Sequence, residues 1–94
     1  MMDAGHISVR ALLIFIDVYE TQNFSVVARR EGISASQVSR MIHQLEDALG
    51  QQLFYRNTRA IMPTESGHLF VRYARAMAGN LEDARRELDE RARE

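Results

Sequence analysis

The residues that could do chemistry in this sequence form a run of small and polar side chains between Ser34 and Arg40. Hydroxyl, amide and guanidinium groups donate or accept hydrogen bonds, and the fork of an arginine fits a phosphate or the O6 and N7 acceptors of guanine. The small neighbours Ala35 and Ser36 would let a large polar partner approach closely. The pattern indicates recognition by hydrogen bonds and not the making or breaking of covalent bonds.

Groups suited to catalysis or metal binding do not form a recognisable pattern. The chain has no cysteine, and His6, His43 and His68 are not spaced with acidic residues in the way that a metal site requires. No nucleophile is paired with a base, and no glycine-rich loop could cradle a phosphate. We therefore predict that the chain is not an enzyme, and we expect no cofactor and no metal.

Several of the polar residues have a structural alternative to a binding role. Ser34 and Gln37 have the spacing of a capping box, with Ile33 and Val38 at the flanking apolar positions, so Ser34 is first of all a helix cap. Gln37 could close this box or read an adenine, and the sequence leaves both open. Arg40 could pair with guanine, with a phosphate, or only with solvent.

The distribution of charge favours an anionic partner for the middle of the chain. The net charge is −1, but residues 25–60 have an excess of arginine over acid, whereas residues 80–94 have an excess of acid. All twelve basic residues are arginine, which suits bidentate contacts. Codon usage is the simpler explanation of so complete a preference.

The elements that must position these residues are three short helices. The first runs over Val9–Glu20 with Ser8 as its cap, and it is apolar on most sides, so it needs two packing partners. The second runs over Ser25–Glu31, with Ser25 as N-cap and Gly32 as its end. The third starts after Ser34 and closes at Gly50, and two helices joined by such a tight turn form a helix-turn-helix. The buried face of the third helix is predicted to consist of Val38, Ile42, Leu45 and Leu49.

A hairpin and a long helix follow. Leu53–Arg56 and Ala60–Met62 read as two strands around a polar turn, and Pro63 is expected to break the second strand. Thr64 is the predicted N-cap of a last helix that reaches nearly to the end of the chain. This helix has a heptad pattern, which is typical of a short coiled coil, although the same residues could pack on their own domain. The heptad positions are Phe70, Met77 and Ala84, interleaved with Ala74, Leu81 and Leu88.

An ordered series of residues resembles the signature of LysR-type transcription regulators over residues 9–86. The sequence departs from the family pattern at Val27, Glu31, Met41 and His43, which concerns fine DNA preference and not the fold. The matching residues are Phe24-Ser25, Ala28, Ile33-Ser34, Val38-Ser39-Arg40, Ile42, Leu45-Glu46, Leu49-Gly50, Leu53-Phe54, Arg56, Arg59 and Thr64-Glu65-Ser66-Gly67.

The resemblance implies a mostly α fold, a winged helix-turn-helix over residues 1–63 followed by a linker and dimerisation helix over residues 64–94. Helix 35–49 would lie in the major groove of double-stranded DNA, and the wing at residues 56–60 would meet the backbone or the minor groove. Arg29 and Arg30 are expected to face solvent. The implied DNA-binding residues are Ser34, Ala35, Ser36, Gln37, Ser39, Arg40, His43, Arg56, Thr58 and Arg59.

The resemblance also implies a homodimer on an interrupted inverted repeat, formed by antiparallel linker helices that contact the first helix of the partner. A small-molecule effector would act only through a further, C-terminal domain that these residues do not contain. The expected location is the cytoplasm, on the nucleoid and not at a membrane. An alternative is a truncated dimerisation module that modulates a full-length regulator. The implied dimerisation residues are Phe15, Tyr19, Phe70, Tyr73, Ala74, Met77, Leu81, Ala84 and Leu88.

Overall fold

The structure, a computed structural model, describes residues 7–57 and 60–93. It confirms a mostly α fold with four helices and a two-stranded antiparallel hairpin, in the predicted order. The elements are α1 (Val9–Thr21), α2 (Phe24–Glu31), α3 (Ala35–Leu49), β1 (Phe54–Arg56), β2 (Ile61–Pro63) and α4 (Glu65–Ala92).

Helix α1 lies at the centre of the core. Ser8 caps it as predicted, because its hydroxyl accepts a hydrogen bond from the Ala11 N–H at 3.0 Å. Phe15 is completely buried, and its ring lies 5.5 Å from that of Phe54 on β1 and 5.3 Å from that of Phe70 on α4. This single ring therefore joins the helix-turn-helix, the wing and the last helix in one core.

Helix α2 begins one residue earlier than predicted, and its cap is different. Asn23 is the N-cap, and its side-chain oxygen accepts from the Val26 N–H at 3.1 Å. The prediction that Ser25 is the cap was wrong, because Phe24 is already helical and Ser25 lies within the first turn. Gly32 ends the helix as predicted, with φ +69°, a conformation that glycine adopts at little cost.

The wing is a short hairpin in which Phe54 is opposite Pro63 and Tyr55 is opposite Met62. Pro63 does not break β2 but is its last residue, a position at the end of an edge strand where the absent N–H is tolerated. Leu53 was predicted in the first strand but precedes it, because its N–H bonds a side chain of α3 instead of the ladder.

Helix α4 packs on α1 with its first turns and then leaves the core. Thr64 caps it as predicted, since its hydroxyl accepts from the Gly67 N–H at 3.0 Å and donates to the Gln52 carbonyl at 2.6 Å. Val71 and Ala74 are buried, whereas residues 79–93 are all exposed. The packing therefore continues across the predicted boundary between residues 63 and 64, and the functional division there stays a prediction.

Within the described residues, no helix combines the length and the apolar character that a membrane crossing needs.

Candidate nucleic-acid interface

The start of α3 is held by a complete capping box. The Ser34 hydroxyl accepts from the Gln37 N–H at 3.1 Å, and the Gln37 side-chain oxygen accepts from the Ser34 N–H at 2.8 Å. Two of the N–H groups that a helix start leaves without partners are satisfied in this way. The predicted capping role of Ser34 is confirmed, and of the two roles left open for Gln37 its side-chain oxygen serves the cap.

The exposed face of α3 carries the predicted polar set. Ser36, Arg40 and His43 are exposed, whereas Ala35 and Ser39 are half-buried at the edge of the helix. The opposite face is buried at Val38, Ile42 and Leu45, as predicted, and Leu49 is only half-buried. The helix therefore presents a short ridge of small and polar side chains around one arginine.

The turn between α2 and α3 fixes this ridge on the core. The Ile33 N–H donates to the Ala28 carbonyl at 3.0 Å, which closes the end of α2 just before the Ser34 cap. Val27 and Val38, which lie on α2 and α3, are both completely buried. Val27, one of the positions at which the sequence departs from the family pattern, is thus accommodated within the core.

The wing is joined to α3 through Glu46, a role that sequence reasoning missed. Its Oε2 accepts from the Leu53 N–H at 2.7 Å and the Phe54 N–H at 3.3 Å, and its Oε1 accepts from the Arg56 guanidinium at 2.9 Å. The guanidinium also lies 5.8 Å from the ring centre of Phe24 on α2. An acid on a helix usually faces solvent, so Glu46 was not expected to be buried. The signal for its burial in the sequence was its position next to Leu45, one residue from the apolar face.

Arg56 is consequently a poor candidate for a direct DNA contact. Its side chain is only 22% exposed and is paired with a buried carboxylate. Predicted contacts at Thr58 and Arg59 lie outside the described residues. At the base of the turn, the Asn57 side-chain oxygen accepts from the Ala60 N–H at 2.8 Å.

The predicted dimerisation residues divide into an outer and an inner group. Tyr73, Met77, Leu81 and Leu88 are exposed apolar residues along α4 and are called the apolar stripe below. Ala84 is exposed within the stripe, and Phe70 is half-buried at its start.

The inner group faces the chain's own core. Phe15 and Ala74 were predicted at the interface, and this was wrong, because both are completely buried within this chain. Tyr19 is half-buried, and its hydroxyl lies 2.7 Å from Nδ1 of His68 on α4. Leu13 on α1 and Leu69 on α4 are also exposed apolar residues, and the predicted set does not include them.

Residues 9–68 match the family model described as bacterial regulatory helix-turn-helix protein, lysR family. The chain belongs to the lysR family. Among curated relatives of this LysR-family chain, the transcriptional activator IlvY of Haemophilus influenzae is 36% identical over 83 residues, 88% of this chain and 28% of the relative. The regulator BenM of Acinetobacter baylyi is 37% identical over 73 residues, 78% of this chain and 24% of BenM. The LysR-family chain thus spans about a quarter of the length of these relatives.

Solved LysR-family structures have the same fold. The DNA-binding domain of BenM in complex with catB site 1 DNA has a TM-score of 0.85 and 32% identity, over 92% of this chain and 97% of that domain. The CbnR DNA-binding domain in complex with DNA has a TM-score of 0.78 and 35% identity, over 92% and 95% of the two chains. Vibrio fischeri DarR in complex with DNA has a TM-score of 0.86 and 28% identity, over 93% of this chain and 30% of DarR.

Proposed function

We propose that this LysR-family chain binds double-stranded DNA sequence-specifically and regulates transcription, with α3 in the major groove. The observation that carries the proposal is the capped and exposed start of α3, in a fold that matches domains solved in complex with DNA. In a helix-turn-helix the first turns of the second helix meet the base edges. Arg40 lies in the second turn of α3, where its guanidinium can reach a guanine or a phosphate.

The neighbours of Arg40 have different tasks in this proposal. Ser36 and His43 are exposed and supply hydrogen bonds to bases or backbone, while the small residues Ala35 and Ser39 permit close approach. Gln37 cannot read adenine in the bidentate manner while its oxygen stays in the capping box, because that reading needs both the oxygen and the amide nitrogen. We therefore assign Gln37 a single contact through its amide N–H groups.

The wing supplies backbone contacts through its turn and not through Arg56. The ion pair with Glu46 makes Arg56 a support for the hairpin. Thr58 and Arg59, at the turn of the wing, remain the proposed contacts to the backbone or the minor groove.

We further propose that the DNA-binding unit is a twofold homodimer in the cytoplasm, bound to an interrupted inverted repeat on the nucleoid. The apolar stripe extends along α4 beyond the core, so it is available to a second copy. Two antiparallel α4 helices would place two recognition helices on two half-sites, as twofold symmetry requires.

A titration of promoter-length duplexes tests the proposal. Binding should depend on sequence, should weaken steeply between two salt concentrations, and should give a footprint of two half-sites. A folded protein that gives no specific shift at low salt would contradict it. That result would favour the alternative of a dimerisation module that modulates a full-length regulator, to be tested by mixing the two chains.

A further inference from the structure

A notch beside the exposed face of α3 contains an arginine that the proposed function does not use. Arg10 lies in the first turn of α1, and it lines this notch together with Ile33, Gln37, Arg40 and Met41. Its side chain is 56% exposed, and Nε lies 3.8 Å from Oε1 of Glu31. Two guanidinium groups therefore share one open notch, and the acid paired with Arg10 is at the limit of ion-pair distance.

The notch lies on the flank of α3 that faces away from the wing. Gln37 and Met41 line it, whereas His43 and Glu46 line the cleft towards Arg56 on β1. At 100° per residue, these two pairs lie on roughly opposite sides of the helix. A helix in the major groove runs between two phosphate backbones. If the wing meets one backbone, the Arg10 notch faces the other.

We propose that Arg10 binds a phosphodiester group of the DNA backbone on the side of α3 opposite the wing. The inference rests on the proposed function and adds a binding residue on α1 to it. A phosphodiester oxygen accepts charge-assisted hydrogen bonds from a guanidinium, and its negative charge would relieve the repulsion between Arg10 and Arg40. Exposed ion pairs such as the one between Arg10 and Glu31 contribute little free energy. Arg10 can therefore exchange Glu31 for a phosphate at little cost.

The test compares Arg10→Ala with Arg85→Ala by fluorescence anisotropy on a specific and a scrambled duplex at several salt concentrations. Arg85 is a matched control because it is 3.8 Å from Glu82 on α4, exposed, and carries the same charge. Arg10→Ala should weaken binding to both duplexes by the same factor and reduce the slope of log K against log salt by about 0.9. When the salt concentration rises fourfold, the affinity of Arg10→Ala should therefore fall by a factor about 3.5 times smaller than the factor by which the parent's affinity falls. Arg85→Ala should keep the parental slope.

Two further results separate this role from a structural one. Glu31→Gln removes the ion pair but keeps Arg10, so it should retain the parental slope and affinity. If Glu31→Gln lost as much affinity as Arg10→Ala, the proposal would be overturned. It would also be overturned if the salt slope of Arg10→Ala equalled that of Arg85→Ala. A loss confined to the specific duplex would also overturn it, because it would indicate a base contact. Absence of DNA binding by the parent would instead overturn the proposed function itself.

Discussion

Glu46 couples α3 to the wing through both of its carboxylate oxygens. One oxygen receives the N–H groups of Leu53 and Phe54, and the other receives the guanidinium of Arg56. A carboxylate can be buried only when such donors replace water. This side chain therefore helps to fix the position of the hairpin relative to the exposed face of α3.

Glu46→Gln is expected to lower the free energy of unfolding by about 1–3 kcal/mol. The amide oxygen can still accept from Leu53 and Phe54, but the amide N–H groups would then face the guanidinium of Arg56 and leave it without an acceptor. Urea unfolding followed by circular dichroism measures the change. Asp47→Asn is the control, because this neighbour is exposed, and it should change stability by less than about 0.5 kcal/mol. Equal losses in the two variants would contradict the coupling.

Arg40 is proposed to contact either a guanine or a phosphate, and its substitution distinguishes the two. If it pairs with a guanine, Arg40→Ala should cost about 1–3 kcal/mol of binding free energy on the best site and relax the preference at one base position. Competition between the best site and single-base variants of it measures both effects. An equal loss on every sequence would instead assign Arg40 to a phosphate.

Gly67 is where α4 approaches the chain segment that leads into the wing. A Cβ at this position would overlap the carbonyl oxygen of Leu53, a backbone atom that accepts from the Thr64 N–H at 2.9 Å. Gly67→Ala should therefore destabilise the fold by about 1–3 kcal/mol, because the helix and the segment must move apart.

The matched control for this prediction is Gly79→Ala on the same helix. A Cβ at Gly79 would meet nothing within 4 Å, so the gain in helix propensity should stabilise the chain by roughly 0.5–1 kcal/mol. Thermal unfolding of the two variants should thus shift in opposite directions. A Gly67→Ala variant as stable as the parent would show that the close approach is not required.

The elements that were predicted correctly are those whose signals are local. The Ser34 and Gln37 capping box, the Gly32 end of α2 and the Thr64 cap are each specified by neighbouring residues, and the structure has all three. Asn23 and Ser25 are both good caps. The choice between them was set by where α2 meets the core, which the local sequence does not contain.

The errors in the predicted interfaces come from tertiary packing. A heptad pattern reports that Ala74 faces something apolar, but not whether that surface is α1 or a second chain. The position of Glu46 beside the apolar face of α3 indicates that it lies near the core, but its partners are on the segment that begins seven residues later, so the pattern within α3 does not reveal them. Phe15 was misassigned for the same reason, since its partners lie on β1 and α4.

At the scale of the whole molecule, α4 extends beyond what one chain can bury. With 28 residues it is about 42 Å long, and residues 79–93 have no buried side chain. An exposed helical segment of this length is marginal in water without tertiary packing. The apolar stripe is the surface on which we propose that a second copy packs.

Leu81→Glu tests this assembly, because it places a charge at the middle of the stripe. The variant should be monomeric by light scattering at micromolar concentration, and it should bind an isolated half-site as the parent does while losing the additional affinity for the full inverted repeat. Gly79→Glu adds the same charge about 200° around α4 from Leu81, on the opposite side from the stripe, and should remain dimeric. A Leu81→Glu dimer would rule out the stripe as the interface. Loss of half-site binding in that variant would show that α4 also supports the DNA-binding surface of its own chain.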